Sequence, residues 1–297
     1  MDVIGDVAVV GPGAVGTTVA AYLSADGHRV RVCGRTPRSQ IELRPDGADP
    51  ITVPGPVCTE PAEITEPAGW VVLTVKATQN ADAGRWLTRL CDENTTVVVL
   101  QNGVEQVEQV QPLCASSTVI PGIVWFSAET QPDGWVRLRT DPRLVLPTGP
   151  AATAFADLWC SAGGSADCDP DFVTAAWRKL LVNAVAGLMV LTGRRSGMFR
   201  RHDLAELARQ YAGECLDVAR AEGAQLADDA AAGTVAMFRE APADMGTSML
   251  ADREARRPQE WDIRNGVIVR KARAHGIATP ISDVLVPLLA AAGDGPG

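Results

Sequence analysis

Gly11-Pro12-Gly13-Ala14-Val15-Gly16 has the spacing G-x-G-x-x-G, directly after an apolar run and before a helix-forming one. In that context glycines let the backbone approach a pyrophosphate at the positive end of a helix, so the chemistry implied is dinucleotide binding. A tight turn without a ligand would show the same pattern. A start about ten residues into the chain, with a second strand ending some twenty residues on, favours the nucleotide. That second strand ends Val32-Cys33-Gly34-Arg35, where an NAD enzyme would place a carboxylate for the ribose 2′-hydroxyl. Here Gly34 leaves room and Arg35 offers a planar cation able to pair with a 2′-phosphate, which points to NADP(H). Arg35 as a solvated surface charge is the bland alternative.

Lys76 follows one apolar run and Asn102 another, placing both at carboxyl ends of parallel strands, where ligands bind in open α/β sheets. Further on, Lys179 and Asn183 are four apart, so they share a helix face, while Leu180, Leu181 and Val182 between them are apolar. Two polar groups on so apolar a helix need polar partners. A lysine at a helix edge extending to water fits the spacing equally well. A second polar knot comprises Ser248, Asp252, Glu260, Asp262 and Asn265, set among Arg253, Arg256, Arg257 and Arg264. Charge runs of this kind are usually solvated helix faces, and that reading stands beside a functional one for Glu260.

The elements that must position these groups follow from the pattern. Short β-branched runs at 7–10, 29–33, 70–75 and 96–100 alternate with helical segments beginning at 14–26, the signature of a doubly wound parallel sheet of Rossmann type. After about Cys168 the periodicity becomes helical, with 175–191 almost wholly apolar. The expected class is therefore α/β, with a dinucleotide-binding domain over 1–168 and an all-helical substrate domain over 169–297. Gly276 is expected to close one helix, and Thr279-Pro280 to cap and open the last.

Composition narrows the function classes. The chain has 297 residues, 46% hydrophobic and 21% charged, with a net charge of −9. Such a surface repels phosphate backbones and anionic lipid, so neither nucleic acid nor membrane is an expected partner. Seven scattered cysteines and three histidines form no metal-ligand spacing and read as reduced thiols. The first residues, with Asp2 and Asp6 and no early Lys or Arg, lack the basic start of a signal peptide, and the stretch 180–193 is too short to span a bilayer. A cytoplasmic location is expected, and a homodimer is among the assemblies this reading admits.

The glycine motif, Val75-Lys76-Ala77-Thr78-Gln79, Gln101-Asn102-Gly103-Val104, the segment from Trp177 to Asn183, Ser248-Met249-Leu250-x-Asp252, and Glu260 with Asn265-Gly266 before Thr279-Pro280 occur in order over nearly the whole chain. As a set they resemble the ketopantoate reductase (2-dehydropantoate 2-reductase) family. The resemblance implies NADPH-dependent reduction of a 2-oxo acid, the step from ketopantoate to pantoate on the route to pantothenate and coenzyme A. It implies Lys179 as general acid, Glu260 as a carboxylate bonded to substrate, Ser248 and Asn183 as positioning groups, and Asn102 between nicotinamide and substrate. It further implies Arg35, Lys76 and the backbone near Ala128 as cofactor contacts. Gly187, Gly197 and Met245 stand where the family commonly has Asn, so extra room and a different or bulkier 2-oxo acid form the alternative. A non-catalytic NADPH-binding module is the alternative from another class, and the joint presence of Lys179 and Glu260 argues against it.

Overall fold

The three central runs of the main sheet, DVAVV, WVVL and TVVV, fold into parallel strands buried almost throughout, which leaves no polar side to alternate with, while the edge runs RVRVC and TVIP are partly exposed. In the computed structural model, which describes residues 6–294, the order begins β1 (Asp6–Val10), α1 (Ala14–Ala25), β2 (Arg29–Cys33), β3 (Gln40–Pro45) and β4 (Ile51–Pro54). It continues β5 (Trp70–Leu73), α2 (Asn80–Leu90), β6 (Thr96–Val99), α3 (Gln106–Val110), β7 (Thr118–Pro121), β8 (Ile123–Trp125) and β9 (Ala128–Thr130). Then come β10 (Val136–Leu138), β11 (Arg143–Pro147), α4 (Pro150–Ser161) and β12 (Ser165–Asp169). Asp2, used above in the leader reading, lies outside the described residues.

The main sheet has the order β2-β1-β5-β6-β7 with every pairing parallel. The strand order reverses between β1 and β5, the kind of switch point at which ligands bind in such sheets. The period of two assigns the side chains to two cores. Val7, Val9, Val72 and Val98 meet α1 and α4 on one face. Ala8, Val10, Val71, Leu73, Val97 and Val99 meet α2 on the other. This is the doubly wound arrangement expected from the sequence.

Two further sheets were not anticipated. One has the order β4-β3-β10-β9, and its buried Ile41, Leu43, Val53, Val136 and Leu138 share a core with α1. The other has the order β12-β11-β8. Ala128 opens β9 opposite Leu138, so it belongs to the four-stranded sheet.

The chain forms two compact units: Met1–Gln101 with Glu105–Phe172, and Asn102–Val104 with Val173–Gly297. The division falls at 172/173 where the sequence suggested 168/169, and the short segment after β6 clusters with the second unit. That unit contains α5 (Phe172–Thr192), α6 (His202–Ala221), α7 (Ala230–Glu240), α8 (Ser248–Glu254), a π-turn at Asp262–Gly266, α9 (Val267–His275) and α10 (Pro280–Asp294). The helix α5, longer than the apolar stretch singled out at 180–193, passes by length and composition as a bilayer span. Of its apolar window 78% is buried, and its Leu180, Val185, Met189 and Val190 lie in one core with Phe199, Tyr211 and Phe238. Gly276, at φ 67°, closes α9 as expected. The opening of α10 differs: the N–H groups of Ile281 and Ser282 donate to Glu214 at 2.7 and 2.8 Å, a carboxylate from α6 doing what the sequence assigned to the Thr279 side chain.

Candidate active site

The glycine loop is shaped by close approaches that only glycine permits. Gly11 has φ 101°, and a Cβ there would lie 2.7 Å from Val75 Cγ1 and 2.8 Å from Val75 N. A Cβ at Gly16 would run into the carbonyl of Gly11. Gly13, by contrast, faces nothing within 4 Å and opens α1 as its N-cap, so the helix start is bare where a phosphate would approach. The Thr74 hydroxyl donates to Gly11 O at 2.7 Å and holds the loop against the end of β5. Thr74 was missed by sequence reasoning; its place just before Lys76 was the available signal.

Lys76 is half-buried at the start of a 3₁₀ turn, Ala77–Gln79. An amide pair fixes this segment: Gln101 Nε2 donates to Asn80 Oδ1 at 2.7 Å and to Val75 O at 2.8 Å. Arg35 is exposed just beyond the end of β2. Gly34 does not supply the room expected of it. A Cβ there would meet the Pro12 ring at 2.7 Å, so that glycine serves the packing of the loop against β2.

The second unit draws the remaining candidates together. Asn183 Nδ2 donates to Asn102 Oδ1 at 3.3 Å, and Asn102 Nδ2 donates to Glu260 Oε2 at 3.4 Å. Gly103, at φ 103°, makes the turn that carries Asn102, and a Cβ on it would crowd Ile263 O at 3.3 Å. Arg264 Nη2 donates to Glu260 Oε2 at 3.0 Å and to Ser248 Oγ at 3.2 Å. Ser248 is the exposed first residue of α8, whose start is capped by the Thr247 hydroxyl accepting from Leu250 N at 3.3 Å. Lys179, one turn before Asn183 on α5, has its pKa lowered to about 8, first by burial and then by the charge of Arg264.

Glu260 is 5% exposed and Arg264 3%, so this pair lies inside the unit while Arg256 and Arg257 of the same run stay in solvent. The cost of desolvating both ions is offset by pairing them with each other. Sequence reasoning noted Arg264 only as one of several surface cations. Its spacing of four from Glu260 was the signal that could have marked it.

The room expected beside Gly187 is absent. A Cβ at Gly187 would sit 2.7 Å from Asn265 Nδ2 and 3.2 Å from Leu289 Cδ1. Asn265 is fully buried, donating to Ala184 O at 3.1 Å and to Tyr211 Oη at 2.8 Å. Gly197 is packed against Ala243, with a Cβ there only 3.0 Å from Ala243 Cβ. Met245 packs on the helical core. None of the three substitutions therefore opens space for a bulkier acid; packing fills it.

A Rossmann-type sheet with a glycine loop, and a helical unit holding a lysine of lowered pKa and a buried carboxylate, define an oxidoreductase. Ketopantoate reductase PanE/ApbA matches over residues 7–151 and its C-terminal counterpart over 171–292. A 2-dehydropantoate 2-reductase of Mycobacterium tuberculosis (strain ATCC 25618 / H37Rv) is 70% identical, covering 98% of this chain and 99% of its own. One from Caulobacter vibrioides is 38% identical over 96% of this chain and 98% of its own. The solved dimeric ketopantoate reductase of Staphylococcus aureus superposes with a TM-score of 0.88 at 26% identity, over 98% of this chain and 100% of that one. The chain belongs to the ketopantoate reductase PanE/ApbA family.

Proposed function

We propose that the protein reduces 2-dehydropantoate (ketopantoate) to pantoate with NADPH, a step towards pantothenate and coenzyme A in the cytoplasm. The observation that carries this reading is Lys179, an ammonium with a pKa brought to about 8, in the unit that also holds the chain Asn183, Asn102, Glu260, Arg264 and Ser248.

The residues of the first unit fit a phosphorylated dinucleotide. Gly11, Pro12, Gly13, Ala14, Val15 and Gly16 would cradle the pyrophosphate, with Gly13 leaving the α1 N-terminus open. Arg35 would pair with the 2′-phosphate, and Lys76, Asn102 and the backbone near Ala128 would complete the contacts. NADPH, when bound, supplies the hydride. The protein's part is to hold the 2-oxo acid and deliver the proton. Lys179 Nζ donates to the carbonyl oxygen as negative charge develops there, because addition at the carbon would otherwise leave an alkoxide. Glu260 accepts from a substrate hydroxyl, while Ser248, Asn183 and Asn102 fix the orientation. The dimeric relative from Staphylococcus aureus supports a homodimer here.

The test is steady-state turnover of 2-dehydropantoate against a panel of branched and aromatic 2-oxo acids, with NADPH and with NADH. The highest kcat/KM is expected for 2-dehydropantoate with NADPH. A larger 2-oxo acid ahead of it would overturn the substrate assignment, and equal use of NADH the cofactor assignment.

A further inference from the structure

In the helical unit, Arg264 is a charged residue whose placement the reaction as set out above leaves unexplained. It is 3% exposed and sits inside the π-turn at Asp262–Gly266. Such turns are rare, and they occur often where a side chain must be re-aimed at a site. Its Nη2 serves two acceptors on different elements, Ser248 Oγ from α8 and Glu260 Oε2 from the segment before the turn. Its Nε is buried without an acceptor, a cost that the position carries nonetheless.

The consequence for each acceptor follows from its donors and lone pairs. A serine hydroxyl has one O–H and two lone pairs. With a lone pair engaged by the guanidinium, the exposed Ser248 is left to direct its O–H at an anionic acceptor. Glu260 accepts from both Arg264 and Asn102 at Oε2, so the guanidinium holds it as a hydrogen-bond acceptor. The other nearby carboxylates have cations of their own: Asp252 bonds Arg257 at 3.0 Å, and Asp262 pairs with Arg270.

We propose that Arg264 is a positioning residue for the reduction, a clamp that makes Ser248 a donor and Glu260 an acceptor toward the 2-oxo acid. This rests on the proposed reaction, and the experiment separates the two. In the full-length protein, Arg264→Met and Arg264→Lys are compared with wild type for KM, kcat and NADPH affinity. Losing a bond to a charged group should raise the KM for 2-dehydropantoate about tenfold or more in Arg264→Met. The Kd for NADPH should stay within about twofold, and Arg264→Lys, which keeps the charge, should recover part of the loss. An unchanged KM in folded Arg264→Met would overturn the proposal. So would a parallel loss of NADPH affinity, or Arg264→Lys no better than Arg264→Met. Should Arg264→Met not fold, Arg264→Gln takes its place in the comparison. If the wild type does not reduce 2-dehydropantoate, the reaction falls but not the clamp. It is then read on whichever 2-oxo acid is reduced or, with none, on a urea-denaturation cycle of Arg264→Met with Glu260→Gln, where additivity overturns it.

Discussion

As the proposed general acid, Lys179 must keep an ammonium mostly out of water and still be ready to release its proton. Burial and the neighbouring guanidinium of Arg264 bring its pKa from 10.5 to about 8. A general acid works only while protonated, so kcat/KM for reduction is predicted to fall as pH rises through about 8; a profile flat to pH 10 would contradict the assignment. The same shift has a stability cost of about 3 kcal/mol at neutral pH. Because the folded pKa is the lower one, that cost is complete below about 8 and fades as pH rises towards 10.5. Lys179→Met is therefore expected to lose about a hundredfold or more in kcat while resisting urea better than wild type at pH 7, an advantage that narrows above pH 8. Arg35 makes the complementary case on the first unit. Arg35→Ala should lower the NADPH to NADH preference about tenfold, measured as a ratio of kcat/KM values. The spacing of Lys179 and Asn183, and the strand-end position of Asn102, made these residues legible in the sequence. Arg264 was not, because an arginine among arginines looks solvated until tertiary packing shows it buried.

At the scale of elements, the glycines divide by what surrounds them. Gly13 opens a helix end, whereas Gly11, Gly34 and Gly187 make room for Val75, Pro12 and Asn265. Gly187→Asn, attractive from the sequence as a way to restore a substrate contact, is predicted instead to overfill the packing around Asn265 and Leu289. The expected cost is about 1 to 3 kcal/mol in stability, with no change in the ratio of kcat/KM for small and large 2-oxo acids. Chemical denaturation and kinetics on two substrates check both halves. Four of the five parallel strands and α5 were readable from their β-branched and apolar runs, whereas the edge strand β7, four residues with pattern TVIP and only one fully buried position, was not. Strands β8, β9 and β10 have three residues each, too few for an alternation to register, and their sheets arise from long-range pairing. The capping of α10 by Glu214 likewise depends on a residue far away in sequence.

For the whole molecule, the chain forms two compact units, and the proposed site residues of the second are gathered from distant stretches of chain: Asn102, then Lys179 and Asn183, then Ser248, Glu260 and Arg264. The order of motifs along the chain showed the family, but only folding shows which of their side chains meet. The central claim is that hydride and proton are added to a 2-oxo acid here, with the proton coming from Lys179. Incubation of the enzyme with 2-dehydropantoate and NADPH dideuterated at the nicotinamide C4, followed by mass analysis of the product, tests it directly. One deuterium per pantoate is predicted for wild type, with formation slowed about a hundredfold or more in Lys179→Met. Unlabelled pantoate, no pantoate at all, or undiminished formation in the variant would contradict it.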